Sequence, residues 1–127
     1  MTFGERVREP REKLGLTIDE WAKILDVTPN TLYRWESGKV VPQKSNQTKI
    51  KNMLSITRDE VAMEIIKEAL EADDGLAAVS ALFGLFYGYL KVAGVGYGSL
   101  KPMLKPGTTL YNAVINYSQK VKYENDF

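Results

Sequence analysis

Apolar positions in the first sixty residues come in short bursts at helical spacing, each introduced by a residue type that starts helices. Thr17, Ile18, Asp19 and Glu20 form a capping box, in which the threonine hydroxyl accepts an early backbone N–H and the glutamate reaches back to the cap. Behind it Ile18, Trp21, Ala22 and Leu25 make one apolar face over two turns. Thr28 and Pro29 open a second short helix, since proline costs nothing at the first helical position. That helix should end near Gly38, with Leu32 and Trp35 buried and Asn30, Thr31, Tyr33 and Arg34 facing elsewhere. Upstream, residues 3–14 have helical character and stop at Gly15, a left-handed C-cap. Pro10 lies inside that stretch and predicts either a kink or a helix that starts late. Residues 40–46 read as a connector. Residues 47–54 read as a fourth helix with Ile50, Met53 and Leu54 turned inward.

The second half begins with another apparent capping box, Thr57 to Glu60, which predicts a helix to about residue 72 with Val61, Ile65, Ile66, Ala69 and Leu70 as its apolar stripe. Its outer face carries Asp59, Glu60, Glu64, Glu68, Glu71, Asp73 and Asp74 against Lys67 alone, so it should avoid a phosphate backbone. Residues 76–90 form a helix without a polar face, which must be buried. Glycines and prolines then mark a loop-rich stretch, Thr108 or Thr109 caps a last helix to about Lys122, and residues 124–127 should fray.

Composition narrows the chemistry. The 127 residues are 44% hydrophobic, enough for one ordinary domain or two small helical ones. The absence of cysteine and histidine removes disulfides, thiolate chemistry and the commonest metal ligand and acid–base group. No cofactor or metal is expected, and no enzyme: the clustered carboxylates lie on a solvated face without a nucleophile beside them. Residues 1–11 carry both charge signs and no apolar run, so the expectation is a soluble cytoplasmic protein. The net charge of +1 is uneven: residues 1–58 hold eleven basic against seven acidic groups, a balance of +4, and residues 59–127 hold six against nine, a balance of −3. The first half is the polyanion binder if either is.

One set of positions is denser than composition explains: Arg11, Glu12, Lys13, Leu14, Gly15, Leu16 and Thr17; Trp21, Ala22 and Leu25; Val27 and Thr28; the run from Thr31 to Lys39; and Pro42. These residues resemble the Cro and lambda-repressor type of helix-turn-helix, often called the XRE family, over residues 3–54. The resemblance implies an N-terminal helix-turn-helix bundle (1–57) and sequence-specific binding of double-stranded DNA by a transcriptional regulator, chiefly a repressor; with the helices read from the residues themselves in 58–127, a helical dimerisation region, the expected fold is all-α. The resemblance implies base contacts by Asn30, Tyr33 and Arg34, in which Asn pairs with adenine and Arg with guanine. It assigns backbone contacts to Thr17, Thr28, Thr31 and Lys39. Arg11 and Glu36 stand where family members tie the first helix to the third by an ion pair. The chain departs from the family at Ile18, where glutamine is usual, at Pro10, and at Pro29, which offers only an apolar contact.

A lone small domain binds a half-site weakly, so a homodimer on an inverted repeat is expected, held through residues 58–122. Ser80, Gly84 and Gly88, spaced by four, form a small-residue groove for a second helix, with Phe83 and Leu85 beside it. An intramolecular core is the plain alternative. The uncharged run 75–90 is short of the roughly 20 residues that span a bilayer, so a membrane role is not favoured. The glycines at 94, 96 and 98 read as a turn, not as a phosphate loop, and a ligand pocket lined by Tyr87, Tyr89 and Tyr97 is a further alternative. The rival function is a protein-binding module, such as an antitoxin whose C-terminal half engages a partner protein.

Overall fold

The structure is a computed structural model describing residues 1–105 and 107–116, with the side chains of Tyr89 and Lys91 left aside. The fold is all-α, and the chain divides into two compact units, Met1–Arg58 and Asp59–Phe127.

In the first unit, α1 (Phe3–Leu14) starts at Thr2, whose hydroxyl accepts the Glu5 N–H, and ends at Gly15 with φ of 67°. Pro10 sits inside it, buried, so the late start allowed by the sequence does not occur. The missing proline N–H leaves the carbonyl of Arg6, an exposed residue, without its usual helical donor. The expected capping box opens α2 (Ile18–Leu25), with both reciprocal bonds formed. Asp26 ends α2 in the left-handed conformation, φ 58°, and Thr28 then caps α3 (Pro29–Glu36). The Lys49 ammonium donates to the Leu25 carbonyl at 3.0 Å, placing a cation on the negative end of α2. Val7, Trp21, Leu25, Leu32, Trp35, Ile50 and Met53 form the core, and the Trp21 indole N–H bonds the Val7 carbonyl at 3.2 Å.

The fourth helix is longer than expected: α4 spans Lys44–Arg58. Thr57 is therefore no cap. It is buried within α4, and its hydroxyl donates to the carbonyls of Met53 and Leu54 at 3.1 and 3.2 Å. Burial of Ile56 and Thr57 extends the helix by a turn, and the cap passes to Asp59, whose carboxylate accepts the Ala62 N–H at 2.9 Å.

In the second unit, α5 (Glu60–Glu71) and α6 (Gly75–Leu85) pack as a tight hairpin. The turn depends on Gly75, where a Cβ would lie 2.4 Å from the Leu70 carbonyl oxygen. Ala62, Ile65, Ile66 and Ala69 of α5, with Ala78, Val79, Leu82 and Phe83 of α6, supply the core. The apolar run does not continue as one regular helix: it widens into a π-helical turn at Phe86–Leu90, then a single turn at Lys91–Ala93. Phe86 is buried and meets the Tyr97 ring edge to face, centroids 5.1 Å apart. Burial pushes the Tyr97 phenol up, with the Asp59 charge adding to it. A turn at Tyr97–Leu100 and a 3₁₀ turn at Lys101–Leu104 bring Leu100 and Leu104 into the core. Thr108 caps the helical residues 109–116, its hydroxyl accepting the Tyr111 N–H. The expected end at Lys122 and the fraying at 124–127 lie outside the described residues.

Candidate nucleic-acid interface

Two short helices joined by a tight turn present a polar surface only if the buried side of the second is fixed. In α3 that side is Leu32, Trp35 and Glu36, with Leu32 fully buried. The helical repeat then turns Asn30, Tyr33 and Arg34 to solvent, with Tyr33 55% exposed despite its ring. These three share the exposed face of α3, as the sequence reading placed them.

Around them lie the expected backbone-contact residues. Thr28 and Thr17 hold helix N-termini: their hydroxyls accept the N–H groups of Thr31 and Glu20, each at 3.2 Å. The Thr28 and Thr31 hydroxyls are hydrogen-bonded at 2.7 Å, one donating to the other, which fixes both side chains and leaves one O–H to donate to an outside acceptor. Lys39 follows the left-handed Gly38 (φ 79°), with its N–H bonded to the Arg34 carbonyl and its side chain exposed. Four backbone-contact candidates and three candidate readers thus fall at the N-caps of α2 and α3, on α3 and in the turn after it.

What holds α3 in place is a charge cluster at its end. Glu36 is 6% exposed, and Arg11 grips its carboxylate with Nη2 at 3.0 Å and Nε at 3.1 Å while also bonding the Leu16 carbonyl. Arg8 adds a second guanidinium, 3.5 Å from the same carboxylate and bonded to the Glu36 carbonyl at 3.2 Å. The sequence pointed to Arg11 and Glu36 but not to Arg8, whose one signal was its place about a turn before Arg11 on the same helix. Gly4 completes the contact: a Cβ there would fall 2.3 Å from the Glu36 carbonyl oxygen, so α1 and α3 approach backbone to backbone.

In the second unit, Gly84 and Gly88 are exposed, and a Cβ on either would meet nothing within 4 Å. Ser80 and Leu85 are half-buried. Phe83, expected beside that groove, is 1% exposed and belongs to the unit's own core. Gly88 lies within the π-helical turn, so the spacing of four no longer traces a straight helical ridge there. Tyr87 is exposed and Tyr97 half-buried, while the side chain of Tyr89 lies outside what is described. Among the described residues no group of carboxylates is arranged to hold a metal ion, and no helix is long and apolar enough to cross a membrane.

The mycobacterial cidal antitoxin MbcA of Mycobacterium tuberculosis and of Mycobacterium bovis is 44% identical over 39 residues, covering 31% of this chain and 34% of the relative. The HTH-type transcriptional activator BcrR of Enterococcus faecalis is 26% identical over 97 residues, covering 76% of this chain. The chain spans about a third of the former's length and about half of the latter's. No solved structure matches the chain. Residues 2–63, which take in α1 to α4 with the capped turn and the anchored third helix, match the helix-turn-helix domain family.

Proposed function

We propose that the chain is a sequence-specific regulator of transcription that binds double-stranded DNA through α3, as a homodimer on an inverted repeat, and represses by occupying its operator. The observation that carries this is the division of α3: Leu32, Trp35 and Glu36 anchor it, while Asn30, Tyr33 and Arg34 stand free on the opposite side. A helix so held enters the major groove, where Asn30 and Arg34 match the edges of adenine and guanine, each worth about 1–3 kcal/mol of discrimination. Thr17, Thr28, Thr31 and Lys39 would meet phosphates and set the register without reading sequence. The second unit would hold the dimer, with the open backbone at Gly84 and Gly88 as its seam and Ser80 and Leu85 alongside. The expected range for that contact, 58–122, includes residues outside those described. Such a regulator needs no cofactor and no catalysis, and works in the cytoplasm.

The name of the Enterococcus faecalis relative, an activator, supports regulation and makes its direction a separate question. Selection of bound sequences from a random duplex library at near-physiological salt tests the proposal. An enriched inverted repeat gives the operator and the two-fold arrangement together, and no enrichment overturns it. One observation favours a second reading. The 44% identity to a protein named an antitoxin fits a chain whose second unit engages a partner protein, and a library without enrichment would move the weight there.

A further inference from the structure

Within the first unit an open groove of about 570 Å³ runs along α4 beside the start of α1. Arg6, Lys44, Lys51 and Arg58 line it. Arg58 is held by Glu9 at 2.8 Å, whereas Arg6, Lys44 and Lys51 take part in no ion pair among the described residues. Its lining also includes Phe3, Ile50 and Leu54, the last two only 2% and 7% exposed, so basic side chains border an apolar floor. The four basic side chains favour an occupant that brings negative charge. Lys44, Lys51 and Arg58 recur every seven residues, which puts them on one side of α4 over a length of about 21 Å.

The chain itself displays a surface of the opposite charge. On α5, Glu60, Glu64, Glu68 and Glu71 recur at spacings of four and three, with the exposed Lys67 among them, a stripe about 16 Å long that is acidic on balance. Lys101 pairs with Glu64, and Glu60, Glu68 and Glu71 enter no ion pair among the described residues. The apolar side of α5 is already spent on its own unit's core, so the stripe is presented by a formed helix, with no ordering cost on contact. Such a stripe is repelled by phosphates, and the groove is built from α1 and α4, not from the helix that carries the candidate readers.

We infer that the groove between α1 and α4 receives the acidic stripe of α5 from a second copy of this chain. Each copy offers both a groove and a stripe. Exposed ion pairs are individually weak, so the association is reversible and fades with salt. It is separate from the seam at Gly84 and Gly88 and does not depend on DNA binding.

The test is sedimentation equilibrium of the full chain carrying Gly84→Leu, which weakens the seam, at low and high salt, with two charge-reversed forms made in the same background. One carries Lys44→Glu with Lys51→Glu, and the other Glu68→Lys with Glu71→Lys; all four positions are exposed, and circular dichroism checks the fold. Each form alone should self-associate about tenfold more weakly or worse, because like charges then face each other. An equimolar mixture should regain association, since each reversed surface finds its complement on the other form. Undiminished affinity in either form alone, or a mixture no tighter than its components, overturns the inference. So does loss of duplex binding by the groove form with self-association intact, which would assign the groove to phosphates.

Discussion

Glu36→Ala tests whether the charge cluster under α3 is a structural anchor. The carboxylate is 5% exposed as a side chain and the Arg11 guanidinium that grips it 21%, so removing the acid leaves a largely covered cation with only the Leu16 carbonyl. Breaking a fully buried pair costs about 3–5 kcal/mol. Because Arg11 keeps a fifth of its surface in water and can swing outward, the expected loss is nearer 2–3 kcal/mol. Arg8→Ala removes the outer partner, 42% exposed and 3.5 Å away, and should cost about 1 kcal/mol or less. The assay is equilibrium denaturation followed by tryptophan emission, which reports the first unit alone because both tryptophans, Trp21 and Trp35, lie in its core. If Glu36→Ala shifts the midpoint no further than Arg8→Ala, the carboxylate is not the anchor and the burial argument fails.

Arg34→Ala should relax base preference at one operator position, whereas Lys39→Ala should weaken all duplexes alike and lower the salt slope by about one. Equal losses on specific and random duplex for Arg34→Ala would remove it from the readers. Gly84→Leu should weaken the dimer by filling the open backbone of α6, seen as a fall in mass by light scattering; an unchanged mass refutes the seam. The hydrogen bond from Arg58, with Lys13 helping, holds the Glu9 carboxyl below the usual glutamate range. The stability this confers is complete above the unfolded-state value and is lost as pH falls through the folded one. An NMR titration should place Glu9 low in the wild type and return it upward in Arg58→Ala, and identical titrations would contradict the pairing.

What was legible in the sequence was local. The boxes at Thr17 and Thr28 announce helix starts through bonds spanning three residues, and those bonds form. The exposed face of α3 followed from Leu32 and Trp35 by helical repeat. At Thr57 two cap signals overlap, and local chemistry cannot rank them; the burial of Ile56 and Thr57 decided for Asp59. Arg8 reaches Glu36 only because α1 crosses the end of α3, a tertiary fact that no short window holds. In residues 75–90 every face is apolar, so periodicity carries no phase from which the widening at Phe86 might have been read.

The close approach of Gly4 to the Glu36 carbonyl has a consequence for how such a protein could change its target. α3 is registered against α1 by main chain, and by Leu32, Trp35 and Glu36, none of which faces outward. The residues that would choose a base sequence and those that hold the helix are thus disjoint sets. New side chains at 30, 33 and 34 should redirect the protein to other sites at little expense in folding, whereas a single methyl at position 4 would displace the helix and degrade every specificity at once.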